Sequence, residues 1–390
     1  MATEMDLSSL SLFPATPEQV LISRRRTWPQ WGGKLTEEQY LERDRQMDAM
    51  EHASRSKLIT WVLAPRDNPT TLNFMCSCET FRRRGLVRYL ESNEQQSGIQ
   101  EVTCYGIASV YTLLDKRRRG YASHMMRLLH WVLSGRGKDY NLPKFPVEWG
   151  QPPPEVEEAG KGLFSALYND IGGKFYQTAG PGLVDSSGWE ARDPISTVWE
   201  VPQEPFASQF CSGFTWLKYE DLGRLWAKDV QLIKRSIADM PTSAGLTALV
   251  SFLPDEGVAS FQINRPIVGT EKDVSMDVWG VEKDHTSTDR PTYAVWSVDT
   301  HLSVPTLIVI CLRATEETFP DLIHMIQEAA RRHGVWKMEI WNLPEPLMGL
   351  AAHFGGKTFE RDEHLPFIKW YGKGDTADIK WVFNEKFCWC

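Results

Sequence analysis

The sequence predicts an α+β fold built from two similar units, and three observations support this prediction. The chain has 390 residues, which is enough for two or three domains of roughly 100 to 200 residues each. Its composition, 42% hydrophobic and 24% charged, is typical of a globular protein. Strand-like and helical segments follow each other in the same order in both halves, which suggests a duplicated unit, although no residue-level repeat is visible.

Charge and segment composition narrow the functional class. The net charge of −8 disfavours general binding to nucleic acid or anionic lipid and favours a small cationic substrate. The longest apolar run, Leu307–Leu312, is too short to cross a membrane. Residues 1–16 have neither a secretory nor a transit pattern, so we expect a flexible leader, a cytoplasmic protein and seven reduced cysteines.

The first unit is predicted to span residues 17–205. Thr36, followed by Glu38 and Gln39, is typical of a helix N-cap. The charged stretch Arg82–Arg84 is interpreted as a turn. The predicted elements are a helix over Leu35–Met50, a hairpin of Lys57–Leu63 and Leu72–Thr80, a strand over Glu101–Leu113, a helix over Gly120–Leu133, a strand over Leu163–Tyr168, a helix over Gly172–Thr178 and a strand over Trp199–Val201.

The second unit is predicted to span residues 206–390, after a proline-containing boundary at Pro202–Ser212. Glu316–His333 has the clearest helical periodicity of this half. The other predicted elements are helices over Tyr219–Ala238, Ser243–Phe252 and Leu347–His353, with strands over Val258–Ile263, Val274–Val281, Thr292–Val298, Thr306–Leu312, Trp336–Trp341, Phe367–Tyr371 and Ile379–Phe383.

One short motif indicates chemistry. Arg117–Ala122, with the sequence RRRGYA, lies between a predicted strand and a predicted helix. The first N–H groups of a helix have no internal acceptor and lie at the positive end of its dipole, so this junction can bind phosphate. Gly120 and Ala122 are small enough to let a diphosphate approach the backbone. The alternative from spacing alone is a basic surface turn without a ligand.

The motif resembles the acetyl-CoA signature R/Q-x-x-G-x-G/A of the GNAT N-acetyltransferases, including the preceding strand Ile107–Thr112. Five further stretches are similar to the fungal lysine N6-acetyltransferases of lysine catabolism: Ser77–Thr80, Arg118–Ser123, Leu167–Gly172, Phe175–Tyr176 and Phe383–Cys390. The resemblance implies an N-terminal GNAT (acyl-CoA N-acyltransferase) fold and a C-terminal, degenerate GNAT-like α+β domain.

The resemblance also implies the substrates. Acetyl-CoA would donate its acetyl group directly to the ε-amine of L-lysine in a ternary complex, giving N6-acetyl-L-lysine without a metal. The backbone of Val110, Tyr111 and Thr112 would pair with the pantetheine arm, and the Val110 N–H would stabilise the oxyanion. The diphosphate would be held by Arg117, Arg118, Arg119, Gly120, Tyr121, Ala122 and Ser123.

Two catalytic roles have candidate residues. Tyr176 resembles the family tyrosine that faces the CoA sulfur and would protonate the leaving thiolate, unless it only packs. The sequence does not identify the general base, because Ile107–Leu113 contains no acid where many GNAT enzymes have one. The candidates are Glu79, Asp170 and the terminal carboxylate of Cys390, each of which could instead be a structural or solvated acid.

The second half is predicted to complete the amine pocket. Its equivalent junction, Arg313–Thr318, has no glycine and carries Glu316 and Glu317, which would repel a phosphate. Asp299 is a candidate for selecting a cationic acceptor. Alternatives are another acceptor, namely a polyamine, a protein N-terminus or a fungal secondary metabolite, and a non-catalytic CoA sensor.

The cysteine pairs 76/78 and 388/390 are spaced too tightly for a typical zinc site, so no metal is expected. The sequence does not predict an oligomeric state.

Overall fold

Two mixed β-sheets flanked by helices form the core of the computed structural model. The structure describes residues 6–90, 98–184, 186–202, 213–241, 244–268, 276–284, 290–300 and 304–389. Elements up to residue 202 are β1 (Leu10–Pro14), α1 (Pro17–Trp31), α2 (Glu37–Asp48), β2 (Leu58–Pro65), β3 (Cys76–Tyr89), β4 (Ile99–Tyr111), α3 (Tyr121–Leu133), β5 (Gly162–Asn169), α4 (Gly173–Thr178), β6 (Glu190–Ala191) and β7 (Ile195–Glu200).

The elements after residue 212 continue this alternation. They are β8 (Phe214–Leu217), α5 (Leu222–Asp239), β9 (Ala248–Phe252), α6 (Ser260–Val268), β10 (Gly280–Lys283), β11 (Tyr293–Asp299), β12 (Thr306–Arg313), α7 (Phe319–Arg332), β13 (Lys337–Trp341), α8 (Glu345–His353), β14 (Lys357–Glu360), β15 (Leu365–Trp370) and β16 (Ile379–Trp381).

Both sheets contain the same local arrangement. The first has the order β1-β2-β3-β4-β5-β15-β6, with β9 paired to β3 and β16 paired to β9, and the second has the order β14-β7-β13-β12-β11-β10-β8. In the first sheet, antiparallel β3 and β4 are followed by α3 and then by β5, parallel to β4. In the second, antiparallel β11 and β12 are followed by α7 and then by β13, parallel to β12. The predicted α+β class is confirmed.

The two sheets exchange strands across the predicted boundary at residue 205. Strand β7 precedes this boundary but belongs to the second sheet, whereas β9, β15 and β16 follow it but belong to the first. The boundary segment lies largely outside the described residues. The units 17–205 and 206–390 therefore share strands and are not separate sheets.

Residues 6–16 differ from the predicted flexible leader. Strand β1 pairs antiparallel with β2, and the side chains of Leu10 and Leu12 are completely buried. Burial of these two side chains stabilises this segment by about 1.5–3 kcal/mol each relative to an exposed chain. Thr16 then caps α1 through a capping box with Gln19, a helix that the sequence analysis missed.

Three other segment predictions are wrong. Ser243–Phe252, predicted as a helix, contains β9, and Val258–Ile263, predicted as a strand, enters α6. Arg82–Arg84, predicted as a turn, lies inside β3, where Arg84 forms ion pairs with Glu101 and Asp255. Short segments can fit the periodicity of a helix or of a strand, so tertiary contacts decided the structure of these three segments.

The described residues contain neither a membrane-spanning helix nor a metal-binding cluster. None of their helices is long and apolar enough to span a bilayer. No group of three or more His, Cys, Asp or Glu side chains in these ranges is arranged to hold a metal ion. Cys76, Cys78, Cys104, Cys311 and Cys388 are free and buried.

Candidate active site

The segment before α3 forms an exposed cradle of backbone N–H groups. Gly120 is the N-cap of α3, with a φ of 77°, and the N–H of His124 is the first to bond back, to the Gly120 carbonyl. The N–H groups of Tyr121, Ala122 and Ser123 therefore lack intrahelical acceptors. Arg118 also has a positive φ of 63°. Alternation of left- and right-handed residues turns successive N–H groups toward one point, as in an anion-binding nest.

Gly120 has a backbone conformation that favours glycine. A Cβ atom built there would meet only Leu7 Cδ1, at 3.5 Å, which is an ordinary contact. A side chain at this positive φ would cost about 1–2 kcal/mol. This conformational reason adds to the expectation that a larger side chain would keep a diphosphate away from the backbone, which stays a prediction.

The arginines of the cradle differ in position. Arg117 Nε donates to the Thr112 carbonyl at 3.0 Å, so its side chain braces the loop. Arg118 is exposed and Arg119 half-buried. Their charges add to the positive end of α3, which makes the cradle suitable for a diphosphate.

Strands β4 and β5 separate at the point where the pantetheine arm was predicted. Their parallel pairing ends at Ile107 with Leu167, although β4 continues to Tyr111. Val110 and Tyr111 lie on this extension, and Thr112 follows it. Within the described part of the chain, no strand pairs with this edge of β4, so its main chain can accept an extended ligand as an additional strand.

A β-bulge bends β4 at the same point. The register of β3 against β4 shifts between Ser77 and Glu79, and Ser109 in the bulge has a φ of 56°. Positive φ at a residue other than glycine stores strain and is often found at functional sites. The Ser109 hydroxyl donates to Glu79 Oε2 at 2.7 Å, which links the bulge to a candidate base.

Glu79 lies largely out of solvent beside this bulge. Its side chain is 17% exposed, and its Oε1 lies 3.7 Å from Arg24 Nη2. Burial raises the pKa of Glu79 above its usual range, against the opposing effects of Arg24 and Ser109. A carboxylate with a raised pKa is better suited to accept a proton at neutral pH than an ordinary one.

A cavity of about 510 Å³ opens beside the bulge and is lined by both halves of the chain. The first half contributes α1, α2 and the ends of β4 and β5, and the second half contributes α6, β11 and the C-terminal segment. The charged and hydrogen-bonding side chains that line it include Arg24, Arg43, Asp44, Asp48, Glu79, Ser109, Asp170, Arg265, Asp299 and His364. Such a mixture suits a small zwitterionic or cationic molecule.

Tyr176 lies on α4, among Phe175, Trp189 and Phe367. Burial raises the pKa of its hydroxyl, and the nearby Cys76 and Cys78 add to this effect. The hydroxyl has no hydrogen-bond partner among the described residues. It is therefore a protonated donor at neutral pH.

Asp170 forms a dyad with a histidine that the sequence analysis did not identify. Its Oδ1 accepts the backbone N–H of His364 at 2.7 Å and lies 3.2 Å from His364 Nδ1. The hydrogen bonds from His364 lower the pKa of Asp170. Asp170 is thus an ionised acceptor that orients an imidazole lining the cavity.

The C-terminal segment reaches the same cavity. Trp389 lines it, and Gln262 Nε2 donates to the Trp389 carbonyl. Cys390, the third candidate base, lies outside the described residues. The prediction for its carboxylate stays a prediction.

The corresponding opening in the second sheet is filled by the chain itself. Pairing of β12 with β13 ends at Val309 with Ile340, although β12 continues to Arg313. The Leu312 N–H donates to Glu385 Oε1 at 2.8 Å, and Arg313 Nη1 donates to Glu385 Oε2 at 2.7 Å. The protein's own C-terminal segment thus occupies, beside β12, the position that a ligand would take beside β4.

Sequence reasoning missed the cations at the far end of the cavity. Arg265 on α6 and Lys386 in the C-terminal segment line a small extension that also contains Arg43 and Asp299. These residues are far apart in sequence and have no motif in common. Of these residues, only Asp299 is a candidate from the sequence, and it lines this extension.

Comparison with known proteins agrees with this architecture. Residues 198–390 match the family described as LYC1 GNAT-like C-terminal domain. The fold is thus GNAT-like, and residues 198–390 form a GNAT-like C-terminal domain.

Individual similar proteins are distant in sequence. An uncharacterized protein of Saccharomyces cerevisiae, YGR111W, is 22% identical over 394 residues, covering 92% of each chain. A probable N-acyltransferase from Enterococcus faecalis is 11% identical with a TM-score of 0.51, covering 93% of this chain and 72% of that one. A GCN5-related N-acetyltransferase from Kribbella flavida is 14% identical with a TM-score of 0.49, with the same two coverages. The similarity to the Enterococcus structure shows the fold.

Proposed function

We propose that the protein transfers the acetyl group of acetyl-CoA to the ε-amine of L-lysine, giving N6-acetyl-L-lysine in a ternary complex. The main support is the separation of β4 from β5 at the Ser109 bulge, between the cradle and the mixed-charge cavity. In this arrangement the diphosphate binds in the cradle, the pantetheine arm pairs with the free edge of β4, and the amine binds in the cavity.

In this proposal, backbone groups bind and polarise the donor. The N–H groups of Tyr121, Ala122 and Ser123 hold the diphosphate, and the edge of β4 from Val110 to Thr112 pairs with the pantetheine. The Val110 N–H donates to the thioester oxygen as negative charge develops on it.

The amine must lose a proton to attack. Free lysine has an ε-amine pKa near 10.4, so roughly one molecule in a few thousand is nucleophilic at neutral pH. The ammonium first loses one proton to solvent. Glu79 accepts a second proton from the nitrogen as the new C–N bond forms, directly or through one water, and then releases it to solvent. Asp170 is the alternative, and it would act by orienting His364 rather than by accepting the proton itself.

The C–S bond then breaks and the thiolate leaves. Tyr176 donates its hydroxyl proton to the sulfur and is reprotonated from solvent, so that the products are N6-acetyl-L-lysine and CoA with a free thiol. No covalent enzyme intermediate forms, and the kinetics are sequential.

Lysine is proposed as the acceptor from the sequence resemblance, and the cavity supports it. The lining includes carboxylates such as Asp299, which suit an ammonium group, and arginines such as Arg265, which suit a carboxylate. A polyamine has no carboxylate of its own, so it would need only the acidic side chains of the cavity and not the arginines.

Release of free thiol from acetyl-CoA tests the function directly. We expect release with L-lysine and much slower release with ornithine or spermidine, together with an initial-velocity pattern for a ternary complex. A burst that leaves an acetyl-enzyme would contradict the mechanism, and faster release with another amine would replace the acceptor.

A CoA sensor is the second candidate, because β4 carries no acid from Ile107 to Tyr111. Tight binding of CoA without thiol release for any amine would favour it.

A further inference from the structure

A small extension of the acceptor cavity has an excess of positive charge. It has a volume of about 50 Å³ and shares Arg43, Arg265, Asp299 and Trp389 with the main cavity. Lys386 lines its other wall. The extension thus adjoins the main cavity, which Glu79 also lines.

Arg265 is a half-buried guanidinium without a carboxylate partner. It lies over the Trp389 ring, with Cζ 5.1 Å from the centroid, and it makes no ion pair or hydrogen bond within the described residues. A cation removed from water normally has an anionic partner, because its desolvation is costly otherwise. The available partner position faces the extension.

Lys386 is a second cation of the same kind. Its Nζ lies 4.1 Å from the ring centroid of Trp341 and 4.0 Å from that of Trp389, and no carboxylate among the described residues pairs with it. The residue is 3% exposed. The two rings stabilise its charge partly by cation–π contact and leave one side of the ammonium toward the extension.

Four neighbouring charges and burial together set the pKa of Lys386. Asp299 and Glu339 favour its protonated form, whereas Arg265 and Arg361 oppose it. Burial is the largest influence and lowers the pKa of Lys386 to about 7. An added anion would shift this balance toward the charged form.

The position of these groups is fixed by the fold. Glu385, the residue before Lys386, is held by Leu312 and Arg313, and Arg313 is also paired with the buried Asp229. Arg265 lies on α6, which packs against α2 and β11. The extension is therefore a preformed site with a defined position.

We infer that Arg265 and Lys386 form a carboxylate subsite that binds the α-carboxylate of an amino-acid acceptor, with Asp299 beside it for the α-ammonium group. The inference rests on the proposed acetyl transfer and names its substrate class as amino acids. Simple amines without a carboxylate would leave both cations unpaired and would bind more weakly.

The test compares L-lysine with L-lysinamide, which lacks only the negative charge. For the unchanged protein we expect kcat/KM to favour lysine by about 10- to 100-fold, the value of a charged hydrogen-bonded pair. In Arg265→Met, this preference should fall to within a few fold, because kcat/KM for lysine falls much more than kcat/KM for lysinamide. Arg265→Lys should keep part of the preference, because it keeps the charge but loses the planar fork.

Arg136→Met is a matched control, since Arg136 pairs with Glu155 on an exposed loop, and it should keep the preference. Equal rates with lysine and lysinamide, or an equal loss for both in Arg265→Met, would overturn the subsite and leave the acetyl transfer standing. Absence of thiol release with every amine, while CoA still binds, would instead overturn the proposed function.

Discussion

The hydroxyl of Ser109 donates to the carboxylate of Glu79 across the bulge that ends the pairing of β4 with β5. This contact joins two features that no sequence pattern connects, the strained φ of Ser109 and the largely buried acid on β3. Both lie beside the cavity, so the backbone that would bind the donor and the group that would deprotonate the acceptor are positioned by one bulge.

Glu79→Gln should lower kcat by about 100-fold or more, because the glutamine amide cannot accept the amine proton. In the unchanged protein, kcat/KM should fall as the pH decreases through the raised pKa of Glu79, since protonation removes the base. Steady-state rates from pH 4 to 9 measure both effects.

Asp170→Asn and His364→Gln are the matched variants for this prediction. If Glu79 is the base, they should change kcat much less than Glu79→Gln does. A larger loss in the two dyad variants, with an unchanged rate in Glu79→Gln, would assign the base to His364.

Gly120→Glu should weaken CoA binding by roughly 100-fold without unfolding the protein. Distortion of the cradle at the positive φ and repulsion between the new carboxylate and the diphosphate together amount to about 2–3 kcal/mol. Calorimetric titration with CoA measures it. Gly137 has a φ of 107° in an exposed loop, so Gly137→Glu provides a control with similar strain and should bind CoA normally.

Tyr176→Phe should lower kcat by about tenfold and leave CoA affinity unchanged. The effect is modest because a thiolate, with a pKa of roughly 8.5, leaves without full protonation. The loss should grow as the pH rises, when solvent supplies fewer protons. An unchanged kcat across this range would reduce Tyr176 to a packing residue.

Acceptor binding at pH 8 should be accompanied by proton uptake at Lys386. With a pKa of about 7, its side chain is mostly neutral at this pH, and a carboxylate in the subsite would raise the pKa and draw a proton from the buffer. Titration of lysine into the CoA complex in buffers of different ionisation enthalpy measures the uptake. Lys386→Met should remove this contribution.

Local sequence predicted the elements whose own pattern is complete. The RRRGYA junction with Gly120 specified a strand, a turn and a helix, and Thr36 with Gln39 formed the expected capping box. Such signals act within a few residues, so tertiary contacts need not be known.

The features that were missed depend on distant partners. The sequence of β9 fits a helix or a strand, and its pairing with β3 and β16 decides for the strand. The sequence Arg82–Arg84 is typical of a turn, but in the fold Arg84 forms an ion pair with the distant Asp255. The cavity shows the same dependence. His364, Arg265 and Lys386 reach it from three separate segments, and no spacing rule connects them.

The exchange of strands between the sheets has a consequence for synthesis on the ribosome. When β5 emerges, its neighbour β15 has yet to be translated, and β3 likewise lacks β9. The nascent first half therefore exposes two strand edges until most of the chain has been synthesised. Exposed strand edges favour aggregation and binding by chaperones.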